Sequence, residues 1–295
     1  MRIRSLTGPL LSVVLALGAG AVHAQADVFV DAGRGPVALH LPPAFDGATS
    51  LPLVLNLHGY GGEGASQQTY FALLPQADAR GVMVAIPDGD VDASSARFWD
   101  ATDACCDFFD ANPDDSAYLR RLIETIAQNF PTDDRRIYVV GYSNGGFMSH
   151  RMACDHADLV AAIFSFAGAQ WEVLEQCVPS EPVSVVQFHG TADFTIAYGG
   201  GCIPGLACYP SARTTALTWA MLNGCGSEVQ AKLPLLDLVE RRPGLDTLRQ
   251  EYSSCIESAV ELWSSPRTGH VPTFTAAFAP AVMDFLLAHP KGAEE

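Results

Sequence analysis

The sequence predicts a single α/β domain with a mainly parallel central sheet and helices on both faces. Short apolar runs of strand length recur along the chain, and segments with helical spacing fall between several of them. No internal repeat, low-complexity tract or Pro/Ser linker divides the pattern. Parallel strands need crossovers, and right-handed crossovers distribute helices over both sides of the sheet.

In chain order, residues 27–30 and 37–41 read as short strands, and residues 53–57 as a buried one followed by a Gly-rich loop at 59–64. Helical spacing covers 69–80, and Gly81 stops it. Residues 82–86 form the next strand, ended by Pro87. Residues 88–113 read as an irregular excursion. An amphipathic helix over 115–130 starts with acids, which suit the positive end of its dipole. Strand 137–140 leads into helix 144–154. Strands 159–166 and 183–188 follow, then a Gly/Pro/Cys-rich insertion at 194–210, helix 211–222, strands 247–255 and 259–263, and a closing helix at 273–287.

The amino terminus reads as a secretory leader over 1–26. Arg2 and Arg4 precede an apolar run at 10–22, too short to span a bilayer comfortably, and Ala24-Gln25-Ala26 offers a cleavage pattern. A retained anchor is the alternative. The leader has no cysteine for lipid attachment. The formal charge is −16, and losing two arginines takes it to −18. No basic stripe is present, which excludes nucleic-acid binding as the expectation. After cleavage, residues 27–295 are expected to be one soluble domain, a monomer outside the cytoplasm with no membrane association.

Eight cysteines in an exported chain argue for disulfides. Cys202 with Cys208 would close a small loop, and Cys225 with Cys255 would tie a helix end to a strand. Cys105 or Cys106 would then pair with Cys154 or Cys177. No spacing supports zinc. The acids Asp103, Asp107, Asp110, Asp114 and Asp115 lack a calcium-loop spacing and read as a solvated loop and helix start. Neither metal nor cofactor is expected.

Four motifs carry chemistry. Ile137-Tyr138-Val139-Val140 runs directly into Gly141-Tyr142-Ser143-Asn144-Gly145, with a helix behind. A serine on such a strand–turn–helix elbow projects its hydroxyl above the sheet, and the flanking glycines prevent clashes. His58-Gly59-Tyr60-Gly61-Gly62 follows a buried strand, where a loop N–H can serve an oxyanion hole. Tyr60 and Asn144 are the expected backbone donors, each worth about 3 kcal/mol in the transition state. His58 itself reads as structural. Asp193 ends His189-Gly190-Thr191-Ala192-Asp193 after a strand, and His270 sits in Thr268-Gly269-His270 before the last helix. The chain order Ser143, Asp193, His270 is that of the α/β-hydrolases. The competing readings are a capping serine, which the strand before it and the helix behind it weigh against, and a turn aspartate and a surface histidine, which that order weighs against. His150 and His156 read as solvated or capping. Trp99 and Trp171, on loops at strand ends, are candidates to line the substrate groove, with plain loop packing as the alternative.

Together these residues resemble the secreted feruloyl esterase and polyhydroxybutyrate depolymerase-like esterases, the esterase D-like carbohydrate esterases of the α/β-hydrolase fold. The matching stretches are HGYGG at 58–62, the tryptophan-to-CC segment 99–106, GYSNGGFMSHRMAC at 141–154, HGTAD at 189–193 and GH at 269–270. The resemblance implies a serine ester hydrolase acting on feruloyl or acetyl esters of plant polysaccharide, with polyester cleavage as the rival substrate class. A serine peptidase, an acyltransferase or a non-catalytic binding protein are rivals of other kinds. Two positions depart from the family pattern. Val271-Pro272 stands where a Trp-Pro pair commonly follows the histidine, and Pro113-Asp114-Asp115-Ser116 replaces a valine-led helix start. The insertion at 194–210 is individual, and no segment is left over for a separate polymer-binding module.

Overall fold

A computed structural model describes residues 27–292 except 227, 242, 243 and 245. The leader expected at 1–26 lies outside the described residues. Among those residues, no helix is long and apolar enough to cross a membrane.

The chain opens with an antiparallel pair, β1 (Val28–Asp31) and β2 (Pro36–His40), followed by β3 (Leu51–Leu57). The helix expected over 69–80 is instead two, α1 (Gly64–Phe71) and α2 (Leu74–Arg80). Pro75 is the reason: it is tolerated only in a helix's first turn, so the chain breaks at Ala72, in the left-handed region at φ 49°, and restarts. After β4 (Met83–Ile86) the excursion contains a two-strand ribbon, β5 (Asp90–Val91) and β6 (Arg97–Phe98). Helix α3 (Asp115–Asn129) leads to β7 (Thr132–Tyr142), α4 (Asn144–Asp155), β8 (Ala162–Phe166) and β9 (Ser184–Gly190). The insertion folds as the ribbon β10 (Gly201–Cys202) and β11 (Cys208–Tyr209), and α5 (Ala212–Leu222) follows.

Strand β12 (Val229–Leu236) escapes sequence reading because it is a largely exposed edge strand interrupted by Pro234. It pairs with β13 (Thr247–Tyr252), which pairs with β14 (Val260–Ser265). The last helix, α6 (Phe278–Ala288), begins five residues later than the expected 273: Phe274 bridges to Val239 and stacks its ring on Phe278 at 3.8 Å.

The ten-stranded sheet runs β1-β2-β4-β3-β7-β8-β9-β14-β13-β12. Its six central strands are parallel, and the edges are antiparallel. Alternate residues feed two separate cores. Leu53, Leu55, Ile137, Val139, Ile163 and Val185 face α3, α4 and α5. Val54, Tyr138, Val140, Phe164, Phe166 and Phe188 face α2 and α6. The second core is largely aromatic: Phe71, Phe188, Trp263 and Phe278 surround Phe164 edge-on or tilted.

All eight cysteines are paired. Cys202–Cys208 and Cys225–Cys255 form as expected. The other expectation fails, because Cys105 bonds its neighbour Cys106 and Cys154 bonds Cys177. Cys154, at the end of α4, lies 5.3 Å in Cα distance from Cys177, ordinary bridging range. Asp115 corrects the solvated reading of the acidic run. It is buried and accepts from the Arg34 guanidinium and, at 2.6 Å, from the Asp100 N–H.

Truncating Phe164 to alanine should destabilise the fold by about 3–5 kcal/mol, as for other large buried aromatics. A denaturant titration that shows less than 1 kcal/mol would contradict the packing described.

Candidate active site

Strand β7 ends at Tyr142 and α4 begins at Asn144, so Ser143 alone makes the turn. It does so at φ 55°, ψ −118°, a conformation that costs about 1–3 kcal/mol in a non-glycine residue. Two backbone contacts explain why the sequence must be Gly-x-Ser-x-Gly. A Cβ on Gly141 would run into the Gly145 carbonyl, and one on Gly145 would run into the carbonyls of Leu57 and His58. The first turn of α4 is thereby pressed directly onto β3 and β7. The Ser143 N–H donates to the Phe166 carbonyl at 2.8 Å and the Phe147 N–H to the Ser143 carbonyl at 3.0 Å, fixing the elbow from both sides.

The structure brings the other two sequence candidates to it. The register aligns Gly190 of β9 with Ser265 of β14, so the loops after both strands emerge together. His270 Nε2 lies 2.9 Å from Ser143 Oγ, and its Nδ1 lies 2.6 Å from Asp193 Oδ2. Asp193 is buried, and its Oδ1 accepts from the N–H groups of Thr195 and Ile196 at 2.9 and 3.0 Å. Burial by itself would raise the Asp193 carboxyl. Hydrogen bonds from His189 and His270 outweigh it and hold the group well below the usual carboxylate range. Tyr142, tilted against the imidazole at 5.2 Å, and Tyr70, whose hydroxyl donates to the Pro272 carbonyl at 3.1 Å, steady His270 and its loop. Neither tyrosine is recognisable from sequence, because each acts through contacts made only after folding.

The HGYGG loop leaves β3 level with Gly141 and packs on the elbow, where a Cβ on Gly59 would stand 3.3 Å from the Ser143 Cβ. Tyr60 and Asn144 thus flank Ser143, with Tyr60 held by its hydroxyl donating to Asp92 at 2.5 Å and its ring edge-on to Phe108. His58 is a structural pin. Its Nδ1 lies 2.8 Å from the Gly59 carbonyl, and its Nε2 accepts from the Gly89 N–H at 2.9 Å. Burial lowers its pKa.

Trp99 and Trp171 do not line a groove: both are buried, and Trp99 has no exposed surface. Trp99 is a brace. The Asn144 side chain accepts from its N–H at 2.7 Å and donates to its carbonyl at 2.8 Å, while its indole N–H donates to the His58 carbonyl at 3.0 Å. Helix α4 and the HGYGG loop are therefore tied together through one buried tryptophan. Trp171 packs beneath the Arg151 guanidinium, 5.7 Å from its ring centroid. His150 is also misplaced by sequence. It is fully buried, bonded to Gln187 and Trp219, and burial holds its pKa down at about 4. His156 caps the end of α4 and contacts the Ser116 hydroxyl. Among the described residues no cluster of His, Cys, Asp or Glu suits a metal ion.

A cavity of about 200 Å³ is lined by His58, Gly59, Tyr60, Tyr70, Tyr142 and Val271 among others, Tyr142 preceding Ser143 and Val271 following His270 in the chain. Fold and site together define a hydrolase of the α/β class: strand, elbow and helix carry the serine, with acid and histidine on later loops in that order. The chain belongs to the esterase family. The model of that family, described as "Putative esterase", matches residues 33–184, more than half of the chain. Over 205 residues the chain is 29% identical to feruloyl esterase B of Piromyces equi, covering 67% of this chain and 37% of that protein. Over another 205 it is 24% identical to feruloyl esterase D of Neurospora crassa, covering 69% and 59%. The chain therefore spans less than two thirds of the length of these relatives. Among solved structures it resembles an acetyl xylan esterase from Aspergillus awamori, with a TM-score of 0.63 at 14% identity, covering 89% of this chain and 99% of that one. At that identity the likeness is one of fold.

Replacing Asn144 with alanine should leave two buried main-chain groups of Trp99 unpaired and lower stability by about 2–4 kcal/mol, measurable by thermal unfolding. Asp193 also predicts acid lability. Its folded pKa lies below the unfolded value of about 4, so its contribution is complete above that pH and is lost as pH falls below it. Asp193→Asn should flatten the stability profile below pH about 4, and an unaltered profile would exclude this origin.

Proposed function

We propose that the protein is a secreted serine carboxylic-ester hydrolase that works through an acyl-enzyme on feruloyl or acetyl esters of plant polysaccharide or related aromatic esters. The observation that carries the reading is the pair of hydrogen bonds at His270, 2.9 Å to Ser143 Oγ and 2.6 Å to Asp193 Oδ2. Asp193 holds the proton on His270 Nδ1, which leaves Nε2 as the base that takes the Ser143 proton. Ser143 Oγ attacks the ester carbonyl, and the N–H groups of Tyr60 and Asn144 receive the negative oxygen. His270 then delivers its proton to the departing alcohol. Water, activated by the same imidazole, attacks the acyl-serine and releases the acid. Every step is a proton or acyl transfer that these side chains can perform themselves.

Three tyrosines around the cavity, Tyr60, Tyr70 and Tyr142, favour a planar aromatic acyl group through ring contacts. The names of feruloyl esterases similar to this chain point the same way. Four disulfides suit an oxidising compartment, which supports export through the leader at 1–26. One observation favours polyester as a second substrate class. Phe108, edge-on to Tyr60, its chain neighbour Phe109, Phe194 next to Asp193 in the chain and Val271 next to His270 are all exposed apolar side chains, the kind of contact an apolar polymer needs.

Ser143→Ala should lower kcat on the order of 10⁶-fold and abolish labelling by a fluorophosphonate. Undiminished turnover in that variant would refute the mechanism. Methyl ferulate, acetylated xylan and a polyhydroxyalkanoate film, assayed side by side, identify the substrate class: faster release from the film selects the polyester reading.

A further inference from the structure

A continuous chain of buried polar side chains runs from helix α5 to the aspartate of the site. Trp219, His150, Gln187 and His189 are all 0–1% exposed. The Trp219 Nε1–H lies 2.9 Å from His150 Nδ1, and His150 Nε2 lies 2.9 Å from Gln187 Oε1. Gln187 Nε2 then lies 3.2 Å from His189 Nδ1 and 2.9 Å from the Gly168 carbonyl. Finally, His189 Nε2 stands 2.8 Å from the Ile196 carbonyl and 3.4 Å from Asp193 Oδ2.

The direction of every link follows from its first member. An indole N–H can only donate, so His150 Nδ1 must accept and His150 must be neutral with its proton on Nε2. That proton goes to Gln187 Oε1, which turns the amide nitrogen toward the Gly168 carbonyl and His189 Nδ1. His189 Nδ1 accepts in turn, so His189 is also neutral and its one proton sits on Nε2, facing Ile196 and Asp193. Burial, which holds the His150 pKa near 4, agrees with the neutral state. With the opposite tautomer, the His189 Nε2 lone pair would face the Ile196 carbonyl and the Asp193 carboxylate, and both contacts would turn repulsive.

We infer that His189 is a positioning residue for Asp193, and that Trp219 sets its tautomer through His150 and Gln187. His189 acts at two points: it holds the Ile196 carbonyl, whose own residue donates its N–H to Asp193 Oδ1, and it presents a proton to Oδ2 beside His270. The titratable groups facing it are Asp193, His270 beyond that carboxylate, and Tyr198, whose ring stands edge-on at 5.8 Å. The consequence is for turnover, because Asp193 keeps His270 aimed at Ser143. The inference rests on the esterase reading above.

The test combines kinetics with nuclear magnetic resonance. His189→Leu should lower kcat about 10- to 100-fold, the range carried by residues that orient a functional group, with KM unchanged. His189→Gln, which keeps a donor near the Nε2 position, should restore most of the loss, and a space-filling role alone gives no such rescue. Trp219→Phe should lower kcat at least about 3-fold with KM again unchanged. In ¹⁵N spectra of the wild-type protein, His150 and His189 should both be Nε2–H tautomers from pH 6 to 8. An Nδ1–H tautomer or a cation at either position overturns the inference, and so does wild-type kcat in both His189→Leu and Trp219→Phe. If His189→Leu does not fold, Trp219→Phe and the wild-type spectra decide. Fluorophosphonate labelling separates the two readings. An unlabelled wild-type Ser143 overturns the esterase reading itself, whereas labelling with undiminished turnover in the variants overturns the relay alone.

Discussion

The close approach of the first turn of α4 to the ends of β3 and β7 is the constraint on which the site depends. A serine at φ 55° is strained, and strain of this kind persists only where surrounding contacts leave no alternative. Those contacts are main chain against main chain, with Gly141 against Gly145 and Gly145 against Leu57 and His58. They cannot relax by a side-chain rotation. The same contacts place the HGYGG loop beside Ser143, so the serine and one candidate oxyanion donor are positioned by a single packing event.

Around this point the molecule is braced from two sides by buried polar groups. On one side the Asn144 amide grips the Trp99 backbone and the Trp99 indole grips the His58 carbonyl. On the other, Asp193 is held by loop N–H groups and by His189. Buried polar groups left unpaired are costly, so each fully bonded network defines one geometry and penalises small departures from it. Below both braces, aromatic side chains from four strands and α6 provide a rigid floor that ends in Tyr142 and His270. The open side, by contrast, is formed by exposed loop residues such as Tyr60, Phe108 and Val271.

Much of this was legible in the sequence, for identifiable reasons. The central strands are buried on both faces, so they read as apolar runs, and β3, β7, β8 and β9 fall within a few residues of their expected places. The elbow was legible because its glycines are dictated by local sterics. The failures have causes too. Pro75 splits a helix that periodicity joined, and β12 is stabilised by pairing with β13 more than by its own pattern. Cys105 and Cys106 were expected to reach distant partners. His150 reads as solvated or capping and Trp99 as groove-lining or packed in a loop, but their partners Asn144, Gln187 and Trp219 lie on other elements.

The sequence by itself determined the sheet's central strands, the serine elbow and the order in which serine, aspartate and histidine follow one another. These depend on neighbours along the chain or on residue types that few positions can supply. Only the tertiary structure decided which groups meet. Ser143 and His270 are 127 residues apart, and His270 and Asp193 are 77 apart, yet both pairs lie within 3 Å because parallel strands deliver their carboxyl ends to one edge of the sheet. It also decided which polar side chains turn inward, because burial is fixed by the elements packed across from a residue and leaves no mark at the residue itself.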